Sequence, residues 1–312
     1  MTSTIYEVCY MVIGYVKLMR PVNCLMTSVA VFIGGLLVSA AAPFPWLDRI
    51  AIAMGAAFMI AGAGNAINDY LDVDADKINR PRRPIPSGMV YKRSALVFSI
   101  TLFLIGITLA GIINWVTFAI AILNSFILII YSTHLQNKMF MGNVAISYLV
   151  ASGFLFGGAA LNGVALPFML ALLAGLSNMS REIVKDLEDM EGDRLSFLKR
   201  MAKNTIKKVV PSIADRFGFD GKTARLKYTS RTLSTFAVLF ILLTIAVSPL
   251  PYAFGILGMG YLIMLIPTVI VFLLAAVITA KASSKRHYKR TSKLIKTGMF
   301  LGLMAFIVGV LI

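Results

Sequence analysis

Charge is scarce in this chain, and negative charge most of all. Only 14 of 312 residues are Asp or Glu, and charged residues of both signs make up 14%. Soluble domains run nearer a quarter charged. A water-soluble protein is therefore excluded, although length alone would have allowed two such domains. Cysteine is nearly absent too: Cys9 and Cys24 are the only two, with no CxxC pair. That rules against a disulfide framework or a thiolate zinc site, and leaves two thiols buried or facing lipid. Histidine is as rare. His134 and His287 are too far apart in sequence to suggest a ligand pair. No cleavable signal is evident, because the first apolar run is long, begins Arg20-Pro21-Val22-Asn23 and offers no convincing cleavage site.

What the chain has is apolar length: 58% of residues are hydrophobic and the mean hydropathy is +0.83. Apolar runs recur between short polar breaks, as expected when each helix crosses roughly 30 Å of hydrocarbon with about 20 residues. The pattern predicts nine transmembrane helices, at 21–40, 50–68, 94–113, 115–133, 142–161, 165–182, 232–249, 252–280 and 294–312. The fold class is thus an all-α integral membrane protein, with one transmembrane domain over 1–312.

The net charge of +16 has a direction. Two Lys or Arg precede the first span, six lie between spans 2 and 3, and Lys138 lies between spans 4 and 5. Thirteen run from Arg181 to Arg231 and seven from Lys281 to Lys296, so 29 of the 30 fall on one side and only Arg49 on the other. The positive-inside rule then puts the N-terminus in the cytoplasm and, after nine crossings, the C-terminus outside. The basic surplus orients the chain and attracts anionic headgroups. A nucleic-acid partner is not expected, because that footprint wants a soluble domain with exposed aromatics. Within 194–231, Leu195, Phe197, Leu198, Met201, Ile206 and Val209 interleave with Lys199, Arg200, Lys203, Lys207 and Lys208. This segment reads as a cytoplasmic amphipathic insertion that either lies on the headgroups or caps the site, the former favoured by composition.

The few acids are concentrated. Ten of the 14 fall in two stretches, Asn68-Asp69-Tyr70-Leu71-Asp72-Val73-Asp74-Ala75-Asp76 and Glu182-Ile183-Val184-Lys185-Asp186-Leu187-Glu188-Asp189-Met190-Glu191-Gly192-Asp193. Both contain D-x-x-D-x-x-x-D, at 69/72/76 and at 186/189/193. Residues i, i+3 and i+7 share a helix face, so each set predicts a stripe of three carboxylates at the cytoplasmic end of a span. Like charges packed this closely repel, and near hydrocarbon they are costly. Acids that merely mark solvated helix ends account for one such stripe more readily than for two of identical spacing. Oxygen-only clusters suit Mg²⁺, which takes one or two carboxylates, waters and substrate phosphates. Basic residues adjoin both: Lys77, Arg80, Arg82 and Arg83 follow the first, and Arg181 and Lys185 border the second. Carboxylate-held metal with nearby guanidinium and ammonium donors makes a diphosphate clamp. Pro81, Pro84 and Pro86 cannot continue a helix and predict a stiff loop able to fold over a ligand. Arg82 and Arg93 read as topology signals only.

These motifs resemble the UbiA-type membrane prenyltransferases. The resemblance covers nearly the whole chain and rests on Asn68-Asp69-x-x-Asp72-x-x-x-Asp76 running into Asn79-Arg80-Pro81-x-Arg83-Pro84-Ile85, and on Lys185-Asp186-x-x-Asp189-x-x-Gly192-Asp193. Within the family, Arg20-Pro-x-Asn23-Cys24 and the run from Ser180 to Asp193 are most similar to the archaeal digeranylgeranylglyceryl phosphate synthases. The resemblance implies that Asn68, Asp72, Asp76, Asp186, Asp189 and Asp193 hold Mg²⁺ against a prenyl diphosphate donor. Lys77, Arg80, Arg83, Arg181 and Lys185 would contact that diphosphate. Many members carry Tyr-x-x-x-Lys after the fourth span, whereas here Tyr131 is followed by Ser-Thr-His-Leu-Gln-Asn and the next basic residue is Lys138. Tyr131 and Lys138 are both candidates for that contact.

The implied reaction moves a geranylgeranyl group to the free hydroxyl of geranylgeranylglyceryl phosphate, a lipid acceptor, at the cytoplasmic face of the cell membrane. Asp72 and Asp189 are the expected essential carboxylates, and Asp69 or Asp189 a proton acceptor. Arg20 is a candidate for the acceptor's phosphate, and Asn23 is expected to face the site. An aromatic acceptor is the alternative within the enzyme class. A secondary transporter is the alternative outside it, disfavoured because transporter ion sites lie near the midplane on broken helices.

Overall fold

A computed structural model of the protein describes residues 2–39, 46–136, 139–205, 219–282 and 284–311; the side chains of 2–8, 79, 139, 191–229 and 311 lie outside the description. Among the described residues every element is helical: α1 (Thr2–Met19), α2 (Pro21–Ser39), α3 (Leu47–Leu71), α4 (Val73–Asn79), α5 (Lys92–Ile113), α6 (Trp115–Ile130), α7 (Met139–Ala160), α8 (Ala165–Thr205), α9 (Phe219–Val247), α10 (Leu250–Ala253), α11 (Met259–Ala280) and α12 (Lys285–Leu311). A π-turn, Tyr131–Leu135, extends α6.

Among the described residues, eight helices are long and apolar enough to cross a membrane. They include eight of the nine expected spans. The remaining one, 165–182, forms the first part of α8, where the apolar run ends at Met179 and Ser180-Arg181-Glu182 follows at once. Some boundaries differ. The eighth span starts at Met259 rather than 252, because Pro251 sits in the short α10 and Gly255, at φ 68°, turns the chain before α11. α12 begins at Lys285, so its basic residues already ride on the helix. Ahead of the first expected span stands α1, whose apolar part, Cys9–Met19, is too short to cross. Of the expected insertion at 194–231, α8 continues through Thr205 and α9 begins at Phe219; its amphipathic side chains lie outside the described residues.

The chain divides into two compact units, Met1–Leu172 and Leu173–Ile312, with the boundary inside α8. In the first unit α2 and α7 approach backbone to backbone. A Cβ on Gly34 would run into the Phe154 carbonyl, and one on Gly157 into the Val31 carbonyl. Small residues at such crossings let membrane helices gain van der Waals contact where no hydrophobic drive separates them from lipid. Around this crossing, Val31, Ile50, Ala53, Ala56, Ile60, Phe103 and Phe156 form the unit's largest core. In the second unit Ile183, Val184 and Leu187 of α8 pack with Ala237 and Ile241 of α9, Phe272 and Ala275 of α11, and Tyr288 and Ile295 of α12. The polar end of α8 is thus fixed by an apolar face that alternates with its carboxylates.

Candidate active site

The first carboxylate stripe lies where α3 passes into α4. The expected single helix bends here: Asp72, at φ −84° and ψ 6°, is the residue between the two. Hydrogen bonds continue through the bend, from Asp72 N–H to the Asn68 carbonyl at 2.9 Å and from Asp76 N–H to the Asp72 carbonyl at 2.8 Å. The stripe is bent, not interrupted. Asp69 and Asp76 end up facing one guanidinium.

That guanidinium is Arg83. Its Nη1 donates to Asp69 Oδ1 at 2.9 Å and to Asp76 Oδ2 at 2.5 Å, and Arg20 also donates to Asp69 Oδ1. Both carboxylates are buried, Asp69 at 3% and Asp76 at 6% exposure. Buried anions need such partners. The proline-rich loop delivers Arg83. Helix α4 stops at Arg80, turns at Arg80–Arg83 and Arg83–Ser87 follow, and Gly88 adopts φ 78°. The loop is docked rather than free-standing, because Met89 and Val90 bury against Leu18, Ala66 and Ala95.

Arg20 reaches Asp69 from an unusual backbone position. It stands alone between α1 and α2 with φ 53°, the left-handed region that side-chain-bearing residues rarely occupy. Such strain persists where the surroundings over-determine it, commonly at functional sites. Here the neighbours are Leu18, fully buried, and Met19, whose carbonyl accepts from Asn65 Nδ2 at 2.8 Å and from the Cys24 thiol.

Asp72 is different from its two neighbours. Its Oδ2 accepts from Asn68 Nδ2 at 3.1 Å and from Gln136 Nε2 at 2.9 Å, while Asn68 Nδ2 also donates to Gln136 Oε1 at 2.8 Å. No cation contacts it among the described residues. Among the described residues Asp72 is thus met by neutral amide N–H donors alone, and it is half open to solvent. A carboxylate and a side-chain amide oxygen are donor types that a hard divalent cation prefers, so Asp72 and Asn68, one turn apart at the end of α3, fit Mg²⁺ by the chemistry of their oxygens. Asp76 carries a competing guanidinium. Among the described residues no three His, Cys, Asp or Glu side chains stand together as a complete metal-binding group.

The second stripe behaves as expected along the backbone. Asp186, Asp189 and Asp193 fall in the uninterrupted α8. Asp186 is half-buried and Asp189 exposed, while the Asp193 side chain lies outside the described residues. One residue that sequence reasoning passed over organises the neighbourhood. Glu182, 8% exposed, pairs with Arg181 and, at 3.6 Å, with Lys185, and Arg181 also donates to Asn178 Oδ1 at 3.0 Å.

The remaining expected contacts are dispersed. Lys77 is exposed and bonds Asp74 at 2.9 Å, which holds the Asp74 carboxyl below the usual range. Arg80 and Asn23 are exposed, and Asn23 makes no side-chain hydrogen bond among the described residues. Tyr131 opens the π-turn, half-buried. Lys138 lies outside the described residues.

The model of the UbiA prenyltransferase family matches residues 28–304. A digeranylgeranylglyceryl phosphate synthase of Methanopyrus kandleri is 39% identical over 299 residues, 96% of this chain and 99% of that protein. One from Methanosarcina mazei is 40% identical over 309 residues, covering 95% and 98%. A solved structure concerning digeranylgeranylglyceryl phosphate synthase in membranes superposes with a TM-score of 0.79 at 33% identity, over 96% of this chain and 98% of that one. A UbiA homologue from Archaeoglobus fulgidus, bound to GPP and Mg²⁺, shares the fold with a TM-score of 0.55 at 16% identity, over 95% and 100%.

Proposed function

The chain belongs to the UbiA prenyltransferase family, and from that premise we propose that it transfers a geranylgeranyl group from its diphosphate to the hydroxyl of geranylgeranylglyceryl phosphate. The observation that carries the reading is the unneutralised Asp72, flanked by amides, at the polar end of an apolar bundle. The full-length likeness to synthases of that name supports this acceptor.

In this reading Asn68 and Asp72 on the first stripe hold Mg²⁺ beside the donor's diphosphate, as do Asp186, Asp189 and Asp193 on α8. Asp76 would belong to the same ligand set, with Arg83 beside it as a donor for the diphosphate. Bound Mg²⁺ supplies Lewis-acid stabilisation of the negative charge that gathers on the leaving group. Arg80, exposed at the end of α4, and Lys185 add cationic donors at the same stage. The C1–O bond breaks with its electron pair leaving on diphosphate, and the acceptor oxygen bonds to C1 and gives up its proton. That proton passes to a carboxylate of the site, Asp69 or Asp189. Asp69 also orients Arg20, whose remaining donors meet the acceptor's phosphate. Apolar helices exclude water, which would otherwise capture the allylic cation.

The topology belongs to the same proposal: nine crossings, the N-terminus and both stripes in the cytoplasm, and the C-terminus outside. The segregation of 29 of 30 basic residues supports it.

The test is product formation from labelled geranylgeranyl diphosphate by purified protein, offered geranylgeranylglyceryl phosphate or an aromatic acceptor. Transfer to the lipid alone is expected, lost in EDTA and in Asp72→Ala or Asp189→Ala protein that remains folded. Transfer to the aromatic compound alone would overturn the acceptor. Undiminished activity in EDTA would overturn the metal assignment.

A further inference from the structure

Gln136 belongs to no motif discussed above, yet it joins the two residues that define the metal-facing end of α3. It lies 64 residues from Asp72 and 68 from Asn68 and hydrogen-bonds to both, at 2.9 and 2.8 Å. Its position depends on a local departure from α-helix. The Gln136 N–H bonds to the Tyr131 carbonyl at 2.9 Å, an i to i−5 bond that closes the π-turn Tyr131–Leu135. One extra residue per turn rotates everything after it by about 100° relative to a plain α-helix. With an ordinary α-turn, Gln136 would leave this face and Leu135 would approach it. π-turns of this kind cost regular hydrogen bonding and recur at functional sites.

The chemistry of the contact is specific. Gln136 donates to Asp72 Oδ2 without bringing charge, whereas Asp69 and Asp76 are each met by arginine. A lysine or arginine in its place would neutralise the carboxylate and compete with any divalent cation. A leucine would leave Asp72 and Asn68 free to rotate. A neutral donor does neither: it fixes Oδ2 and leaves the anion available.

We propose that Gln136, presented by the π-turn, is a positioning residue that orients Asp72 and Asn68 for the divalent cation while bringing no competing cation to the Asp72 carboxylate. The inference rests on Asp72 being a metal ligand. Outer-sphere partners of metal ligands are worth about 10–100-fold in metal affinity, which sets the size of the effect.

The experiment measures Mn²⁺ binding by EPR to the full chain in detergent, without substrates, alongside the Mg²⁺ dependence of transfer. Gln136 is exposed, so substitution there leaves folding intact, and thermal unfolding of each variant verifies this. In Gln136→Leu both the Mn²⁺ dissociation constant and the half-saturating Mg²⁺ rise about tenfold or more, and excess Mg²⁺ restores kcat. Gln136→Lys weakens Mn²⁺ further, because a cation now opposes it. Wild-type Mn²⁺ affinity in both Gln136 variants overturns the proposal. Asp72→Asn separates the two levels: lost Mn²⁺ binding there with unchanged Gln136 variants sinks the positioning role alone. Unchanged binding in Asp72→Asn sinks the metal assignment and this inference with it.

Discussion

Arg83 illustrates what a single side chain is asked to do here. Its side chain is 17% exposed and faces two carboxylates that are 4% and 8% exposed. Removing one partner of a buried pair leaves uncompensated charge and costs about 3–5 kcal/mol. Arg83→Met should therefore unfold at clearly lower temperature in detergent, and adding Asp69→Asn and Asp76→Asn should recover most of the loss. Arg20 offers a second residue-scale test, because its φ of 53° strains any side chain. Arg20→Gly and Arg20→Ala both remove the ion pair, but glycine relieves the left-handed backbone, worth about 1–2 kcal/mol. The glycine variant should melt higher; equal melting would mean that the backbone relaxes on its own. The sequence spacing made Asp69, Asp72 and Asp76 legible as a group. It carried no sign of which arginine each would meet, since Arg20 and Asp69 are 49 positions apart and the packing of α1 and α2 on α3 joins them.

Helices were legible in proportion to how far lipid, rather than neighbours, decides them. Apolar runs over about 20 residues announce α2, α3, α5, α6, α7 and α11, because an unpaired backbone group in hydrocarbon leaves helix as the only solution for a lone segment. Breaks were harder. The bend at Asp72 involves one residue and keeps the backbone hydrogen bonds from Asp72 to Asn68 and from Asp76 to Asp72, so periodicity could not reveal it. The π-turn after Ile130 is likewise a matter of one residue, and α1 is too short to stand out. Helix contacts follow from small residues, which a sequence shows without saying where they meet. Gly157 sits against the Val31 carbonyl, and both belong to backbones that cannot move apart cheaply. Gly157→Leu should separate α2 from α7, lower the melting temperature and, by tilting the core that α2 shares with α3, reduce transfer. Gly55→Ala, whose added carbon meets nothing nearer than Leu109 at 4.0 Å, should leave both unchanged and serves as the control.

For the molecule as a whole, two physical arguments about α8 pull in different directions. Its apolar run, 165–179, spans about 22 Å as a helix, short of the roughly 30 Å of hydrocarbon. Mismatch of this size is met by local thinning of the bilayer, at a fraction of a kcal/mol per Å. Charge argues the other way and more strongly. If 165–182 failed to cross, the thirteen basic residues from Arg181 to Arg231 and the seven from Lys281 to Lys296 would all lie outside. Twenty such charges on the far face would reverse the rule that orients the rest of the chain. Crossing is therefore expected, with the polar end of α8 in the cytoplasm. Single cysteines decide it, introduced as Phe254→Cys and Lys285→Cys in a Cys9→Ser, Cys24→Ala background; both positions are exposed. In sealed right-side-out vesicles an impermeant maleimide should label position 254 and spare 285, which inverted vesicles then expose. The opposite pattern would mean eight crossings, with the second carboxylate stripe on the outer face, away from any cytoplasmic supply of diphosphate.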